Sequence, residues 1–345
     1  MKKLVKSSRL KASSAITLPP YLKSGDTIAI VAPARKIVIE EIKPAIDLFK
    51  SWGLKVVLGK NLFCAYNQFA GTEKERAADL QLALDDKNIK AVFCARGGYG
   101  CVRIIDMLDF SSFLKFPKWI IGFSDITVFH SHIHNLGIGS LHAAMPYNLS
   151  KLLHSFNFDV QSQEKRKITN YELRITNSAV YNFQVITLKK SLFGDPLSYS
   201  IKPHPLNKKG KADGILIGGN LSILYSLAGS VSDIDTAGKI LFIEDLDEYL
   251  YHIDRMMMNL KRSGKLSNLA GLIVGGMSDM KDNKVAFSKT AEQIISEAVA
   301  EYKYPVCYNF SAGHIENNCA LTFGKTIEFE VGNNVVIKFS NEPIK

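Results

Sequence analysis

An apolar segment, Trp119–Phe123, runs directly into Ser124 and Asp125, ahead of a stretch with helical spacing that extends to about Asn135. The apolar run predicts a buried strand, so Ser124 lies in a tight turn between a strand and a helix. A hydroxyl in such a turn projects from the carboxyl edge of a sheet, near backbone N–H groups that stabilise the oxygen of an attacked carbonyl. Ser124 is therefore a candidate nucleophile, although a helix N-cap at Ser124 or Asp125 explains the same residues.

A serine nucleophile needs a base, and the base needs an acid that orients it. Of the eight histidines, His314 is the best placed, because it follows a predicted strand in a glycine-bounded loop. His142, just past another predicted strand, is a second candidate. Glu244 ends an apolar strand, where a carboxylate is partly desolvated and an imidazole N–H is a suitable partner. Asp245 and Glu248 are its rivals for the role of the acid.

Two other groups of residues were candidates for ligand binding. His130 and His134 have a spacing that can hold zinc, but no glutamate follows His130 as an H-E-x-x-H motif requires. The Arg96–Gly100 loop contains two adjacent glycines, yet it matches neither a dinucleotide-binding fingerprint nor a P-loop. Its amides suit either an anion or an oxyanion hole, which the backbone N–H groups of Gly98 and Asp125 would form. We predict no metal and no cofactor.

The net charge of +10 does not indicate a nucleic-acid-binding surface. Residues 1–11 hold five positive charges and no negative ones, and residues 151–211 hold eleven Lys or Arg against four Asp or Glu. The excess lies in a tail and an insertion, so no nucleic-acid partner is predicted. The first twenty residues lack the apolar core of a signal peptide, and no segment reaches transmembrane length. With five cysteines that match no disulfide framework, this predicts a cytoplasmic protein without a membrane partner.

Strands and helices alternate in residues 23–150, which predicts an α/β domain with a parallel sheet covered on both faces. The predicted strands are Thr27–Val31, Leu54–Leu58, Ile89–Ala95, Trp119–Phe123 and Ile138–His142. Helical spacing marks Ile37–Trp52, a segment from the capping box at Thr72 to about Asp86, and Val102–Leu108. Ligands of such sheets gather at the carboxyl edge, where both the glycine loop and Ser124 lie.

The rest of the chain predicts a tail, a linker and a second domain. Residues 1–22 are predicted to be a flexible tail, and residues 151–211 a linker that carries the basic insertion. Residues 212–345 predict a smaller mixed α/β domain. Its predicted strands are Ile215–Ile217, Lys239–Ile243, Leu272–Val274, Val306–Phe310 and a terminal hairpin of Thr326–Val331 with Val335–Phe339.

Taken together, several motifs resemble those of the LD-carboxypeptidase family of serine peptidases. They occur in the family's order between Asp26 and Gly324. The matching segments are Arg96–Gly100, Gly122–Thr127, Gly218–Ser222, Phe242–Asp245 with Tyr251, Ile253–Met256 and Gly313-His314. The resemblance implies a flavodoxin-like or Rossmann-like first domain that supplies Ser124, and a smaller second domain that supplies Glu244 and His314, with the active site in the groove between them.

The resemblance also implies a Ser-Glu-His triad: Ser124 as nucleophile, His314 as general base and acid, and Glu244 as the orienting acid. The amides of Gly98 and Asp125 would form the oxyanion hole. The implied reaction, in a homodimer that needs no metal, is release of D-alanine from murein tetrapeptide in peptidoglycan recycling. Relatives that cleave peptidyl-nucleotide antibiotics of the microcin type are an alternative. A third interpretation, from another class, is a non-catalytic two-domain ligand-binding protein.

Overall fold

The computed structural model describes residues 16–155 and 177–340. Within these ranges the chain forms two sheets with helices packed against them. The first sheet has six strands in the order β11-β5-β4-β3-β1-β2. Its members are β1 (Thr27–Val31), β2 (Lys55–Leu58), β3 (Ile89–Cys94), β4 (Trp119–Gly122), β5 (Ser140–His142) and β11 (Leu321–Phe323). The five strands from the first half are parallel, as the sequence predicts.

Helices cover both faces of this sheet because its central strands are apolar on both sides. Along β1, Ile28 and Ile30 belong to one core, and Ala29 and Val31 belong to the other. The helices that accompany the sheet are α1 (Lys43–Ser51), α2 (Glu73–Asp85), α3 (Ser111–Lys115), α4 (Thr127–Asn135) and α5 (Pro146–Ser155). The arrangement confirms the predicted α/β architecture of the first half.

Local capping chemistry explains where these helices begin. The predicted capping box is confirmed: the Thr72 hydroxyl accepts a hydrogen bond from Glu75 N–H, and the Glu75 carboxylate accepts one from Thr72 N–H. The helix predicted for Ile37–Trp52 starts later, at Lys43, because Pro44 suits the first turn of a helix and not its interior. The segment Val102–Leu108 forms two short 3-10 turns in place of the predicted helix.

The second sheet has seven strands in the order β10-β9-β8-β7-β12-β13-β6. They are β6 (Ser198–Ile201), β7 (Gly210–Asn220), β8 (Ile240–Leu246), β9 (Gly271–Ser278), β10 (Val306–Cys307), β12 (Thr326–Val331) and β13 (Val335–Phe339). Strands β7 to β10 are parallel, and β12 and β13 form the predicted antiparallel hairpin. The accompanying helices are α6 (Asn177–Phe193), α7 (Leu221–Ser226), α8 (Leu250–Arg262) and α9 (Ala291–Ala298). The mixed second unit is as predicted.

Two segments differ from the sequence-based description. In the predicted linker 151–211, α6 buries Leu188 and Leu192 against the core of the first sheet, and β6 pairs with β13. In the predicted tail 1–22, Leu22 is buried and Thr17 N–H donates to the carbonyl of Gly137, while residues 1–15 lie outside the described ranges. Neither contact has a local sequence signal, because each partner lies far away along the chain.

The last strand of the first sheet comes from the second half of the chain. Strand β11 pairs antiparallel with β5, with Leu321 opposite His142. The chain then returns to the second sheet through β12. This crossing connects the two sheets, and β11 becomes the edge strand of the first sheet beside β5. None of the helices in ranges 16–155 and 177–340 has the length and apolar character that crossing a membrane requires.

Candidate active site

Ser124 occupies a strained turn directly after β4. Its φ is +65°, a left-handed conformation that is uncommon for residues other than glycine. A 3-10 turn, Ser124–Ile126, then leads into α4. The N-cap positions are Phe123 for the 3-10 turn and Ile126 for α4, so the interpretation of Ser124 or Asp125 as a helix cap is wrong. Strain of this kind is common where a side chain is held for function.

His314 lies against the Ser124 hydroxyl. Its Nε2 is 3.1 Å from the Ser124 Oγ, and its ring lies 4.9 Å, centroid to centroid, from that of Phe123. Only 16% of the His314 side chain is exposed, so the ring is shielded from water on most sides. The predicted strand before it, Val306–Phe310, is shorter than expected: β10 covers two residues, and the rest of the segment forms the loop that carries His314.

Glu244 holds the other side of the same ring. Its Oε2 lies 2.7 Å from the His314 Nδ1 and also accepts the backbone N–H of His314 at 3.1 Å. Its side chain is fully buried. A carboxylate at Nδ1 requires the proton on that nitrogen, which leaves Nε2 of the neutral ring as the acceptor facing Ser124. The strand β8 extends past Ile243 to Leu246, so Glu244 lies within the strand and not at its end.

The surroundings of His314 change its affinity for a proton in two directions. Burial lowers the pKa of His314, whereas the charge of Glu244 and the hydrogen bond to it raise the pKa by more. The net effect is a pKa above the usual value, because the imidazolium form gains an ion pair inside the protein. The ring is thus suited to accept a proton from the hydroxyl beside it.

The structure separates Glu244 from its two rivals. Asp245 is the next residue on β8, and its carboxylate accepts hydrogen bonds from the Asn220 side-chain amide and the Ser222 N–H, each at 2.9 Å. These hydrogen bonds hold the Asp245 carboxylate against the start of α7, and among the described residues no hydrogen bond joins it to His314. Burial, with the charge of Glu244, raises the pKa of Asp245 to about 7. Glu248 pairs with His252 at 2.6 Å.

The loop that carries Gly98 approaches Ser124 through Gly97, and Asp125 is the residue after Ser124. A Cβ placed on Gly97 would lie 3.1 Å from the Cβ of Ser124, so this glycine permits the loop after β3 to approach the nucleophile. Among the described residues, no protein atom accepts a hydrogen bond from the N–H of Gly98 or of Asp125. The Asp125 side chain is turned inward, where its Oδ2 accepts the Cys101 N–H at 2.9 Å. Burial raises the pKa of this carboxyl.

The other candidate histidines have structural surroundings. His130 lies between the Ser140 hydroxyl at 2.8 Å and the Gly122 carbonyl at 2.9 Å, and burial lowers its pKa to about 4. His134 is also buried, and its pKa is likewise lowered to about 4. His142 packs among aromatic rings behind Phe123. Burial lowers its pKa well below the usual range. These rings are neutral near pH 7, and His314 is the histidine that meets Ser124.

A hydrogen-bonded network that connects the two sheets was missed in the sequence analysis. The Asn220 N–H donates to the Thr127 hydroxyl at 3.0 Å, and its side-chain amide donates to Asp245. Thr127 begins α4, just past Ser124, whereas Asp245 adjoins Glu244. The network therefore connects the helix that follows Ser124 to the strand that carries Glu244. The available signal was Asn220 itself, a residue type that favours helix N-caps, at the start of α7.

A serine hydroxyl, an imidazole and a buried carboxylate, hydrogen-bonded in series between two α/β units, define the class of serine hydrolases. The sequence model of the LD-carboxypeptidase N-terminal domain matches residues 28–143, and that of the C-terminal domain matches residues 213–329. The chain belongs to the LD-carboxypeptidase family. It is a hydrolase, a serine-type carboxypeptidase.

Individual relatives agree with this assignment over most of the chain. It is 36% identical over 310 residues to a probable murein peptide carboxypeptidase of Bacillus subtilis, covering 89% of each chain. It is 30% identical to the murein tetrapeptide carboxypeptidase of Pseudomonas aeruginosa, covering 89% of this chain and 94% of that one. The crystal structure of muramoyltetrapeptide carboxypeptidase from Oxalobacter formigenes superposes with a TM-score of 0.74 at 25% identity, covering 92% and 99% of the two chains. The two-domain fold is shared.

Proposed function

We propose that this protein hydrolyses an L,D-peptide bond and releases the terminal D-alanine of murein tetrapeptide in peptidoglycan recycling. The observation that carries the proposal is the position of His314, whose two ring nitrogens contact Ser124 and Glu244 at 3.1 and 2.7 Å. The names of the similar carboxypeptidases supply the substrate, and the site supplies a chemistry that fits it. No step of that chemistry needs a metal.

The mechanism follows from the order of the three side chains. The Ser124 Oγ attacks the carbonyl carbon of the bond before D-alanine, and the His314 Nε2 takes the hydroxyl proton. Glu244 keeps the ring oriented and stabilises the imidazolium that forms. As the carbon–nitrogen bond breaks, His314 returns the proton to the amine of D-alanine. Water, deprotonated by His314, then resolves the acyl-enzyme and releases the tripeptide.

The oxyanion that forms during both steps needs donors already in place. The amides of Gly98 and Asp125 are proposed for this role, because Asp125 follows Ser124, Gly98 follows the Gly97 that approaches Ser124, and neither amide donates to another atom in the described part of the chain. Loss of one such donor typically lowers kcat by about 100- to 1,000-fold. Fixed donors in a site shielded from water stabilise the developing charge without reorganising.

Incubation with murein tetrapeptide, followed by an assay of free D-alanine and tripeptide, tests the proposal. The wild-type protein should release both in equal amounts, and Ser124→Ala protein should release neither while it keeps its circular-dichroism spectrum. Cleavage of a microcin-type peptidyl-nucleotide and not of the tetrapeptide would support the alternative substrate. If neither the wild type nor Ser124→Ala cleaves either substrate, the result would support the non-catalytic interpretation.

We also propose that the protein acts in the cytoplasm as a homodimer. The support for the location is the recycling role together with five unpaired cysteines. The support for the dimer is the family resemblance alone. Sedimentation equilibrium of the purified full-length chain would give the oligomeric state, and a single species of 38.3 kDa would contradict the dimer.

A further inference from the structure

A groove of about 420 Å³ opens beside the glycine loop, lined by three cations and two side-chain amides: Arg35, Lys36, Asn67, Gln68 and Arg96. We infer that it is a subsite that binds a carboxylate of the substrate peptide. The inference rests on the proposed function for the identity of the peptide. Its size lies within the range of about 300–1,000 Å³ that is common for ligand sites, and its lining contains no acidic side chain.

The groove lies within reach of a peptide held at Ser124. A Cβ placed on Gly98 would lie 2.6 Å from the Cδ of Arg35, and a Cβ placed on Gly97 would lie 3.1 Å from the Cβ of Ser124. The two glycines are neighbours, so the stem of Arg35 lies on the order of 10 Å from the nucleophile. About three residues of an extended peptide span that distance. Gly98 has a φ of +115° and no Cβ, which leaves room for the side chain of Arg35.

The two arginines of the groove differ in how they are paired. Among the described residues, Arg35 forms no ion pair, and its side chain is exposed, so it is the arginine available to an incoming anion. Arg96 forms an ion pair with Glu41, whose carboxylate lies 3.7 Å from its guanidinium. The Arg96 guanidinium also lies 4.1 Å from the centroid of the Tyr147 ring. A guanidinium can donate two parallel hydrogen bonds to a carboxylate, which suits it to this ligand.

The backbone holds these groups in position before a ligand arrives. The Lys36 N–H donates to the Gln68 carbonyl at 3.0 Å, and the Ala70 N–H donates to the Ala34 carbonyl at 3.1 Å. The segment after β1 is thereby fixed to the loop before α2. A fixed set of donors loses less conformational entropy on binding than a mobile one. These hydrogen bonds fix the main chain that carries Arg35 and Lys36 against the main chain that carries Gln68.

A murein tetrapeptide presents more than one carboxylate to such a groove. One is the free terminus of D-alanine, beyond the bond that breaks, and another is on the side chain of diaminopimelate, before it. Both lie within three residues of the carbonyl that Ser124 attacks. A charged partner of this kind would favour peptides over neutral amides of the same length and would fix the register of the substrate.

The test is a double-mutant cycle, in which Arg35 is changed in the protein and one carboxylate at a time is removed from the peptide. Arg35→Met keeps the stem that packs over Gly98 and removes the charge, and Arg35→Lys keeps the charge. Arg262→Met is a control at an exposed arginine outside the groove.

Each protein is assayed with the tetrapeptide, its C-terminal amide and its diaminopimelate amide. We expect Arg35→Met to lower kcat/KM for the tetrapeptide by about 10- to 100-fold, mainly through KM. Arg35→Lys should recover part of this loss, and Arg262→Met should match the wild type.

One of the two amides lacks the carboxylate that Arg35 binds. Arg35→Met and wild type should cleave that amide equally, and its identity shows which carboxylate the groove binds. No loss on any of the three peptides would overturn the subsite, and an equal loss on all three would overturn its pairing with either of these two carboxylates. Release of D-alanine by the wild type tests the proposed function separately. Calorimetric titration of Ser124→Ala protein with the same peptides, with and without Arg35→Met, decides the subsite even if turnover is absent.

Discussion

The Nε2 of His314 lies 3.1 Å from the Oγ of Ser124, although 190 residues separate them along the chain. Ser124 follows a strand of the first sheet, and His314 follows a strand of the second. The contact therefore exists only when both sheets have formed and packed together. Displacement of a catalytic group by about 1 Å can lower the rate by about 100-fold, so this packing is part of the chemistry.

The strained backbone of Ser124 predicts different stabilities for two inactive variants. Ser124→Ala keeps a Cβ at a φ of +65°, whereas Ser124→Gly removes it. Both should lose turnover because both lack the hydroxyl. We expect the free energy of unfolding of Ser124→Gly to exceed that of Ser124→Ala by about 0.5–1 kcal/mol, because the left-handed conformation disfavours a Cβ. Urea unfolding measures the difference, and a less stable glycine variant would show that the turn is not strained.

Replacement of Glu244 by glutamine tests the orienting role of the buried carboxylate. Glu244→Gln preserves size but removes the charge that faces the Nδ1 of His314. We expect kcat to fall by about 1,000- to 10,000-fold, with KM little changed, because the ring loses its required tautomer and orientation. Steady-state kinetics with Glu248→Gln as a matched control measures the effect. A fall of less than tenfold, or an equal fall in the control, would contradict the assignment.

The pH dependence of the reaction should report the His314–Glu244 pair. Burial lowers the pKa of His314, but the charge of Glu244, the hydrogen bond to it and the charge of Asp245 together raise the pKa above its usual value. Because the base must be neutral, kcat/KM should rise with pH through that raised pKa. In Glu244→Gln the burial remains and the charge is lost, so the acid limb of the residual activity should move to lower pH. If the acid limb of the profile stays at the same pH in Glu244→Gln, the group that titrates is not His314.

Asp245 should make the protein less stable as the pH rises from about 4 to 7. Burial, with the charge of Glu244, raises its pKa to about 7 from 3.8, so the folded state binds more protons in this interval than the unfolded state. Stability linked to that proton is present at low pH and is lost as the pH rises towards 7. Asp245→Asn should remove this slope, although it also loses one of the two oxygens that accept from Asn220 and Ser222. Urea unfolding at several pH values, compared with Asp247→Asn, measures the slope, and equal slopes in wild type and Asp245→Asn would contradict it.

Local signals predicted the elements that depend on neighbouring residues. The capping box at Thr72, the strand before Ser124 and the terminal hairpin needed only a few adjacent side chains. The helix predicted from Ile37 begins only at Lys43 because Pro44 suits the first turn of a helix, a signal that is present in the sequence. Helix α6 was assigned to a linker because its polar, basic context outweighed its apolar residues.

The sequence by itself determined which chemical groups were available: a serine at a strand-to-helix turn, a histidine in a glycine-bounded loop and acids directly after an apolar run. Tertiary structure decided which groups meet. Pairing of β8 with its neighbours turned Glu244 towards His314 and Asp245 towards Asn220. Packing of the segment after β1 against the glycine loop brought Arg35 beside Gly98. Such choices depend on sheet register and on contacts between distant segments, because the orientation of a strand residue reverses with a shift of one position.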